Sequence, residues 1–179
     1  LHKTLPAGEV AARRARGEPH ALRLDMSRAL EHARALGGGR LLTFTELAAD
    51  GTRVVHAADP ARWGDAVILR KDVPSSYHLA VVVDDAWQCV THVTRGRDLF
   101  AATGLHRLLQ VLLGLPEPVY HHHRLVAGDG GRKLSKSAGD TSLRSLRQAG
   151  LTAGDVRELL RPIVDQRLAA TVKSYAPFP

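Results

Sequence analysis

Cysteine is nearly absent from the 179-residue chain, in which Cys89 is the only one. A single thiol cannot form an internal disulfide, and a chain without disulfides is typical of a reducing compartment, so a cytoplasmic location is expected. Cys89 follows Trp87-Gln88 at the edge of an expected strand and has no reactive partner nearby in sequence. We therefore expect a buried, inert thiol and no catalytic nucleophile.

Long hydrophobic runs are also lacking. A membrane-spanning helix needs roughly 18–20 consecutive apolar residues, and the longest apolar run here, near residues 79–83, has the length of a strand. Internal repeats and low-complexity segments are absent as well. The hydrophobic content of 44% is ordinary for a globular protein. The length and these features predict one sizeable core, or one core plus a small appendage, and no membrane partner.

Acidic residues are outnumbered, with 18 Asp and Glu against 25 Lys and Arg, which gives a net charge of +7. This balance favours an anionic partner, and RNA is a natural candidate. Only five of the basic residues are lysines, and a bias toward arginine can reflect genome composition alone. Many basic proteins bind no nucleic acid, so the charge indicates such a partner without establishing it.

The first seventy residues have the pattern of a mixed α/β segment. Apolar periodicity, caps and turn residues predict helices over 5–17 and 28–36 and short strands over 20–25, 41–44, 53–55 and 65–70. Ser27 is the expected cap of the second helix, and Asp50-Gly51 is an expected turn. Three arginines, Arg13, Arg14 and Arg16, lie on the first helix. They either contact phosphates of an RNA partner or form a solvated surface.

The middle of the chain predicts a parallel sheet. Val81-Val82-Val83 is a β-branched run that favours a central strand, and further strands are expected over 90–94 and 119–123. Between the last two, leucines at helical spacing predict a helix over 104–114, capped by Thr103. Strand, helix and strand in this order form a βαβ crossover, and ligands bind beyond the carboxyl ends of such strands.

The most informative segment is Lys133-Leu134-Ser135-Lys136-Ser137, which follows a glycine-rich turn at 128–131. Lysine is a strongly hydrated point charge on a flexible stem, well suited to reach a polyphosphate. Positive charge delivered to phosphoryl oxygens as they become more negative is a large contribution to catalysis. The alternative is a solvated basic loop.

Two further segments give this loop a context. Residues 77–85 read Tyr-His-Leu-Ala-Val-Val-Val-Asp-Asp, and residues 91–99 read Thr-His-Val-Thr-Arg-Gly-Arg-Asp-Leu. In this order, and with the lysine loop after them, the three segments resemble the class I glutamyl-tRNA synthetase family. The resemblance extends over residues 65–150. It implies an α/β fold, namely the second half of a Rossmann-like class I aminoacyl-tRNA synthetase catalytic domain.

Residues 120–125 and 139–142 are similar to the short paralogues of that family, the glutamyl-queuosine tRNA(Asp) synthetases. Only about forty residues follow Ser137, where an ordinary glutamyl-tRNA synthetase has a large anticodon-binding region. The resemblance implies activation of L-glutamate with ATP and Mg²⁺, and transfer of the glutamyl group to queuosine of tRNA(Asp). A monomer is expected.

Two signatures of the family are not found in the sequence: the HIGH-like motif for ATP and the cysteine-rich zinc site. The chain is therefore expected to be the C-terminal portion of such an enzyme, with zinc only in a preceding part and uncertain activity alone. The expected regions are the remainder of an inserted acceptor-binding-type α/β subdomain (1–70), the catalytic half-domain (71–150) and a helical tail (151–179). The tail includes a helix from Thr152 or Asp155 onward and follows a helix over 142–148 that Thr141 caps.

The resemblance assigns roles to four residues. Lys136 is expected to stabilise the phosphates of ATP with help from Lys133, and both are expected to be catalytic. Arg95 is expected to pair with a carboxylate of glutamate, since a guanidinium binds a carboxylate in a bidentate way; the alternative is an ion pair with Asp98 or Asp84. Tyr77 is expected to line the glutamate pocket; the alternative is a core tyrosine.

Other polar residues are weaker candidates. Asp98 is expected to cap a helix. His121, His122 and His123 lie in one strand, so their side chains alternate between faces and cannot converge on one zinc ion. No metal site is therefore expected in this chain. Two other functions remain open: a shortened ordinary glutamyl-tRNA synthetase and a tRNA-binding module without catalysis.

Overall fold

The computed structural model describes residues 5–48, 50–126, 134 and 142–161. The chain forms two compact units, each assembled from separate segments. The first contains the segments up to Leu42, Ala57–Val90 and Ala102–Glu117. The second contains Thr43–His56, Thr91–Ala101 and the chain from Pro118 onward. The domain boundaries expected from the sequence stay a prediction.

The described elements follow a mixed α/β order. The helices are α1 (Ala7–Ala15), α2 (Met26–Leu36), α3 (Tyr77–Trp87), α4 (Ala102–Leu113) and α5 (Leu143–Gln148), and residues 153–161 are also helical. The strands are β1 (Leu22–Arg23), β2 (Thr43–Leu47), β3 (Arg53–Ala57), β4 (Val67–Leu69), β5 (His92–Gly96) and β6 (Val119–His123). Two 3₁₀ turns lie at Ala61–Trp63 and Arg97–Leu99.

The core of the first unit forms where α2, α3 and α4 meet. Helix α4 contributes most, since Leu105 and Leu108 are fully buried and Leu109 is 4% exposed. These leucines follow the i, i+3, i+4 spacing that places residues on one face of a helix. Small residues of α2, including Ala29 and Ala33, let the helices approach closely. The leucine-rich helix predicted over 104–114 is confirmed.

The ends of α4 show how its length is set. The helix begins at Ala102, so Thr103 lies inside it, fully buried, and is not the cap that the sequence predicted. Gly114 ends the helix as predicted. Its φ of 65° lies in the left-handed region, which residues with a side chain adopt less readily than glycine. Gly104 lies against the backbone of Asp59: a Cβ at this glycine would be 3.0 Å from the Asp59 nitrogen.

Helix α3 contradicts one prediction. The run Val81-Val82-Val83 was expected to form a central strand, but it lies inside this eleven-residue helix. Ser76 caps the helix by accepting a hydrogen bond from the Leu79 amide. Val82 is 3% exposed and Val83 is 42% exposed. Helix α3 packs against α4, and this packing outweighs the strand preference of valine.

The second unit contains a four-stranded sheet in the order β3-β2-β6-β5. Strand β6 is parallel to both neighbours, and its Tyr120 pairs with Glu46 of β2 and with Val93 of β5. The order β5, α4, β6 along the chain agrees with the crossover predicted from the sequence. Strands β2 and β3 follow each other through the predicted turn at Asp50-Gly51.

Several local predictions need correction. Asp25, and not Ser27, caps α2 by accepting from the Arg28 amide. Ser142 caps α5 with a reciprocal capping box to Ser145, whereas Thr141 lies outside the described residues. Strand β1 has two residues where six were expected. Thr152 and Asp155 bond reciprocally at the start of the helical segment 153–161, in agreement with the predicted helix.

Cys89 is also placed differently from the prediction. Its side chain is exposed, and its backbone has a φ of 56°, directly after α3. The left-handed conformation ends the helix and turns the thiol outward, which explains why the expected burial is wrong. Among the helices that the structure describes, none has the length and apolar character needed to cross a membrane.

Candidate functional site

The lysine loop is only partly described. Leu134 is the one residue of the segment 133–137 that the structure describes, and its amide donates to the carbonyl of Val126 at 3.1 Å. Lys133, Ser135, Lys136 and Ser137 lie outside the described residues. Their roles at the phosphates of ATP stay predictions.

Arg95 lies next to the last residue of β5, at the carboxyl end of a parallel strand, as the sequence predicted. Its side chain is almost fully enclosed, with 8% of the residue exposed. The Nε group donates to Nε2 of His122 on the neighbouring strand at 3.3 Å. The guanidinium carbon lies 5.0 Å from the centre of the Tyr120 ring, which favours a positive charge at this position.

The contacts of Arg95 continue into a row of polar side chains across the sheet. Nδ1 of His122 is 2.9 Å from Oε1 of Glu46, and the other oxygen of Glu46 is 2.8 Å from Nε2 of His56. Each of the four side chains comes from a different strand, in the order β3, β2, β6 and β5. We call His56, Glu46, His122 and Arg95 the polar row.

The protonation of the polar row follows from its geometry. The Nε of Arg95 can only donate, so Nε2 of His122 must be the acceptor and carry no proton. The proton of the neutral ring is then on Nδ1, which donates to Glu46. Glu46 is an acceptor when ionised; it receives a hydrogen bond from His122 and lies within ion-pair distance of His56. From Arg95 to Glu46, the row is therefore a chain of matched donors and acceptors.

The electrostatics agree with this assignment. Burial lowers the pKa of His122 below its usual range, and the nearby charges of Arg95 and Arg97 add to this effect against the pull of Glu46. Burial opposes ionisation of Glu46, but the hydrogen bond from His122 and the charges of His122 and His56 outweigh it, and the pKa of Glu46 is lowered. At neutral pH, His122 is therefore neutral and Glu46 is a carboxylate.

Aromatic rings surround the polar row. Phe100 meets the ring of His122 edge to face at a centroid distance of 5.0 Å, and Phe44 stacks on His56 at 5.3 Å. Phe44 and Tyr120 are each 2% exposed. This setting limits the access of water to Glu46, His122 and Arg95, while the side chain of His56 is 32% exposed. The hydrogen bonds among the three enclosed side chains are strengthened, since electrostatic interactions are larger in a less polar medium.

The capping role expected for Asp98 stays a prediction. The residue lies inside the 3₁₀ turn that follows Gly96, and that turn has no side-chain cap. Its carboxylate folds back over Gly96, where a Cβ would collide with it. Glycine at this position lets the carboxylate approach the end of β5.

Tyr77 begins α3 in the first unit and is 52% exposed. That exposure contradicts the alternative of a core tyrosine. Its ring lies 5.6 Å from that of His78 and 6.0 Å from that of His106. The two histidines hydrogen-bond each other at 3.0 Å, and His106 is 1% exposed. The ring of Tyr77 thus contacts a histidine pair of which His106 is buried and His78 is partly exposed.

The three consecutive histidines alternate along β6, as predicted. His122 is buried, while the flanking residues are partly exposed and bond to backbone carbonyls: His121 to Leu47 and His123 to Arg124. Within the part of the chain that the structure describes, no group of three His, Cys, Asp or Glu side chains is arranged to hold a metal ion.

The basic surface of α1 is partly neutralised. Arg13 pairs with Glu9 at 2.6 Å and lies 3.8 Å from Glu18, which also pairs with Arg16 at 2.7 Å. These pairs are exposed and favour the interpretation of a solvated helix surface over a dedicated phosphate contact.

Sequence reasoning missed Glu46 and His56 as members of the site. Glu46 is 76 positions from His122, and no motif connects the two. The available signal was the alternation along β2, where Phe44 and Glu46 share a face. A carboxylate on the same face of a strand as a core aromatic residue predicts a hydrogen-bonding or charged partner for that carboxylate. The pattern does not identify which residue the partner is.

Comparisons with known proteins give the site its context. Residues 41–170 match the family model described as tRNA synthetases class I (E and Q), catalytic domain. A glutamyl-Q tRNA(Asp) synthetase of Rhodobacter capsulatus is 53% identical over 97 residues, which cover 54% of this chain and 35% of the relative. A glutamate–tRNA ligase 1 of Rubrobacter xylanophilus is 38% identical over 133 residues, 65% of this chain and 30% of the relative.

The solved structures agree in fold. A glutamate tRNA ligase of Elizabethkingia meningosepticum, crystallised with its amino acid, matches with a TM-score of 0.52 and 24% identity, over 82% of this chain and 25% of that one. The chain spans about a third of the length of the curated relatives it matches. The family match includes all of β2, β5 and β6, so the polar row lies within it. The chain belongs to the class I tRNA synthetases (E and Q), within their catalytic domain.

Proposed function

We propose that the protein activates glutamate with ATP and transfers the glutamyl group to queuosine of tRNA(Asp). The observation that carries the proposal is the match of 53% identity to a protein named glutamyl-Q tRNA(Asp) synthetase, in a chain that also contains the lysine loop. A second such relative, from Geobacter sulfurreducens, is 52% identical over 88 residues. A location in the cytoplasm and a monomeric state remain predictions.

The reaction has two steps. A carboxylate oxygen of glutamate attacks the α-phosphorus of ATP, which enters with Mg²⁺ as part of the substrate, and pyrophosphate leaves. A nucleophile of the RNA then attacks the carbonyl carbon of the adenylate, and AMP leaves with the bonding electrons. Little acid–base catalysis by side chains is needed, so positioning and stabilisation of charge provide most of the rate.

The residues of this chain divide these tasks. Lys136, assisted by Lys133, stabilises negative charge on the phosphates. Arg95 binds a carboxylate of glutamate, a role supported by its place at a strand end and by its enclosed, aromatic-lined setting. Tyr77 lines the amino-acid pocket, which its exposure allows. Its hydroxyl can both donate and accept a hydrogen bond.

A second function has a specific observation in its favour. The glutamate–tRNA ligase 1 of Rubrobacter xylanophilus matches a longer stretch, 133 residues, although at 38% identity. An enzyme of that kind charges the end of tRNA(Glu). A third possibility, a tRNA-binding module without catalysis, differs from both because it would show no glutamate-dependent exchange of pyrophosphate into ATP.

The acceptor decides between the two enzymes. We expect the complete gene product to transfer labelled glutamate to queuosine-containing tRNA(Asp) and not to tRNA(Glu). The matched control is tRNA(Asp) made without queuosine, which should remain unlabelled. Binding should weaken steeply with salt, because phosphate contacts dominate tRNA affinity. Stable charging of tRNA(Glu), or equal labelling of both forms of tRNA(Asp), would favour the ordinary synthetase.

Replacing Arg95 should affect glutamate more than ATP. In Arg95→Ala, we expect the glutamate KM in pyrophosphate exchange to rise about thirtyfold, equivalent to ~2 kcal/mol for a lost charged hydrogen bond. The ATP KM should change little. Arg97→Ala is the matched control, since this neighbouring arginine is exposed and lies over Phe100. An unchanged glutamate KM in Arg95→Ala would make the arginine structural.

A further inference from the structure

Glu46 forms a hydrogen bond with His122, and His122 in turn accepts a hydrogen bond from Arg95. Both side chains are enclosed: that of His122 is 0% exposed and that of Glu46 is 12% exposed. The three side chains lie on three adjacent strands, so their backbones are fixed relative to one another. A hydrogen bond between rigid strands restricts the rotamers of a long side chain such as arginine, which otherwise loses considerable entropy when it binds a ligand.

The partner of Arg95 in this contact is a neutral ring. A neutral acceptor holds Nε in place without adding a full negative charge beside the guanidinium. Glu46 contacts Nδ1 of His122, whereas Arg95 contacts Nε2 of the same ring, so the carboxylate fixes the tautomer of His122 without touching the guanidinium in this contact. The arrangement resembles metal sites, in which a carboxylate orients a histidine through one nitrogen so that the other can bind.

We propose that Glu46 and His122 are positioning residues that orient Arg95 for a carboxylate of the substrate. This inference deepens the proposed function and rests on it for the identity of the substrate. Glu46 holds the Nδ1–H tautomer of His122, and the ring accepts a hydrogen bond from Nε of Arg95. This contact fixes the orientation of the guanidinium group. Neither residue takes part in the chemistry itself.

The arrangement makes binding of glutamate sensitive to acid. Protonation of His122 removes the acceptor for Arg95 and places two cations side by side. The charged and titratable groups around His122 are Glu46 from β2, Arg95 from β5 and Arg97 from the turn after it, with His56 of β3 behind Glu46. Burial and the two arginines disfavour the proton, so the acceptor is present at neutral pH and is lost as the pH falls.

Four variants test the proposal in the complete gene product, with glutamate-dependent pyrophosphate exchange as the assay. We expect His122→Ala and Glu46→Ala to raise the glutamate KM about tenfold, with the ATP KM within about twofold of wild type. In His122→Gln, the amide oxygen can still accept from Arg95 but does not titrate. Its glutamate KM should be nearer to wild type and should stay flat on acidification, where that of wild type rises.

The control is His92→Gln, which makes the same chemical change at the opposite end of the strand that carries Arg95. It should behave as wild type in both KM values and in their pH dependence. An unchanged glutamate KM in His122→Ala, equal losses for glutamate and ATP, or a wild-type acid response in His122→Gln would each overturn the proposal.

A second measurement separates this inference from the proposed function. ¹⁵N NMR of the imidazole nitrogens and of the Arg95 Nε should show His122 as the neutral Nδ1–H tautomer at pH 7. The Arg95 Nε–H signal should shift in His122→Ala and remain unchanged in His92→Gln. A protonated or Nε2–H His122 overturns the positioning role. Absence of any exchange by the wild type, with the NMR result as expected, instead overturns the proposed function.

Discussion

Lys136→Ala is expected to lower glutamate-dependent ATP–pyrophosphate exchange by about two to three orders of magnitude. Removing one positioned group that stabilises developing charge in a transition state typically costs ~2.7–4 kcal/mol. The expectation rests on the lysine loop and on its position after the strand predicted over 119–123, which forms as β6. The measurement is the exchange rate of the complete gene product at saturating glutamate and ATP.

The control for this variant is Lys71→Ala. Lys71 is an exposed lysine outside the loop, so its removal changes the net charge equally but should leave the exchange rate near that of wild type. An exchange rate of Lys136→Ala within about twofold of wild type would contradict the role given to Lys136. Lys133 would then be the remaining candidate of the loop for that role.

Leu108→Ala is expected to reduce the free energy of unfolding by about 3–4 kcal/mol. Leu108 is fully buried in α4 and belongs to the cluster that joins α2, α3 and α4. Truncating such a leucine removes apolar burial and leaves a cavity in which the surroundings relax only partly. The loss is a large fraction of the stability of a typical domain. Urea unfolding followed by circular dichroism measures it.

Leu36→Ala provides the matched comparison. The substitution is the same, but Leu36 lies at the end of α2 and is 56% exposed, so its effect should stay within about 0.5 kcal/mol. Equal destabilisation by the two variants would show that the packing of α4 does not carry the stability of the first unit.

The success of the prediction for α4 and its failure for α3 have the same physical cause. Leucines at helical spacing in α4 also coincide with burial, so local pattern and tertiary contacts agree. In α3, three consecutive valines favoured a strand, but only Val82 is buried among them in the core cluster. The cap at Ser76 and packing on α4 determine the helix, and together they outweigh the strand preference of the valine run.

In the candidate site, too, local sequence predicts the position of some residues and not of others. The place of Arg95 at the end of a parallel strand, where ligands bind, could be predicted from local sequence. Its role at glutamate is implied by the family resemblance and stays a prediction. The places of Glu46 and His56 could not be predicted, because their relation to His122 depends on which strands become neighbours. Sheet order is a property of the whole chain: β2 follows β1 in sequence but pairs with β6. Local pattern does not contain that information.

The pairing of β2 with β6 also has a consequence for how the protein is made. Glu46 opposes Tyr120, so β2 has no parallel neighbour until the chain has been extended by more than seventy residues. At a synthesis rate of roughly 5–20 residues per second, that interval lasts on the order of 4–15 s. Contacts of such separation also close slowly, because loop entropy is lost before they form. The central strand pair of the sheet, and Glu46 with it, is thus assembled late.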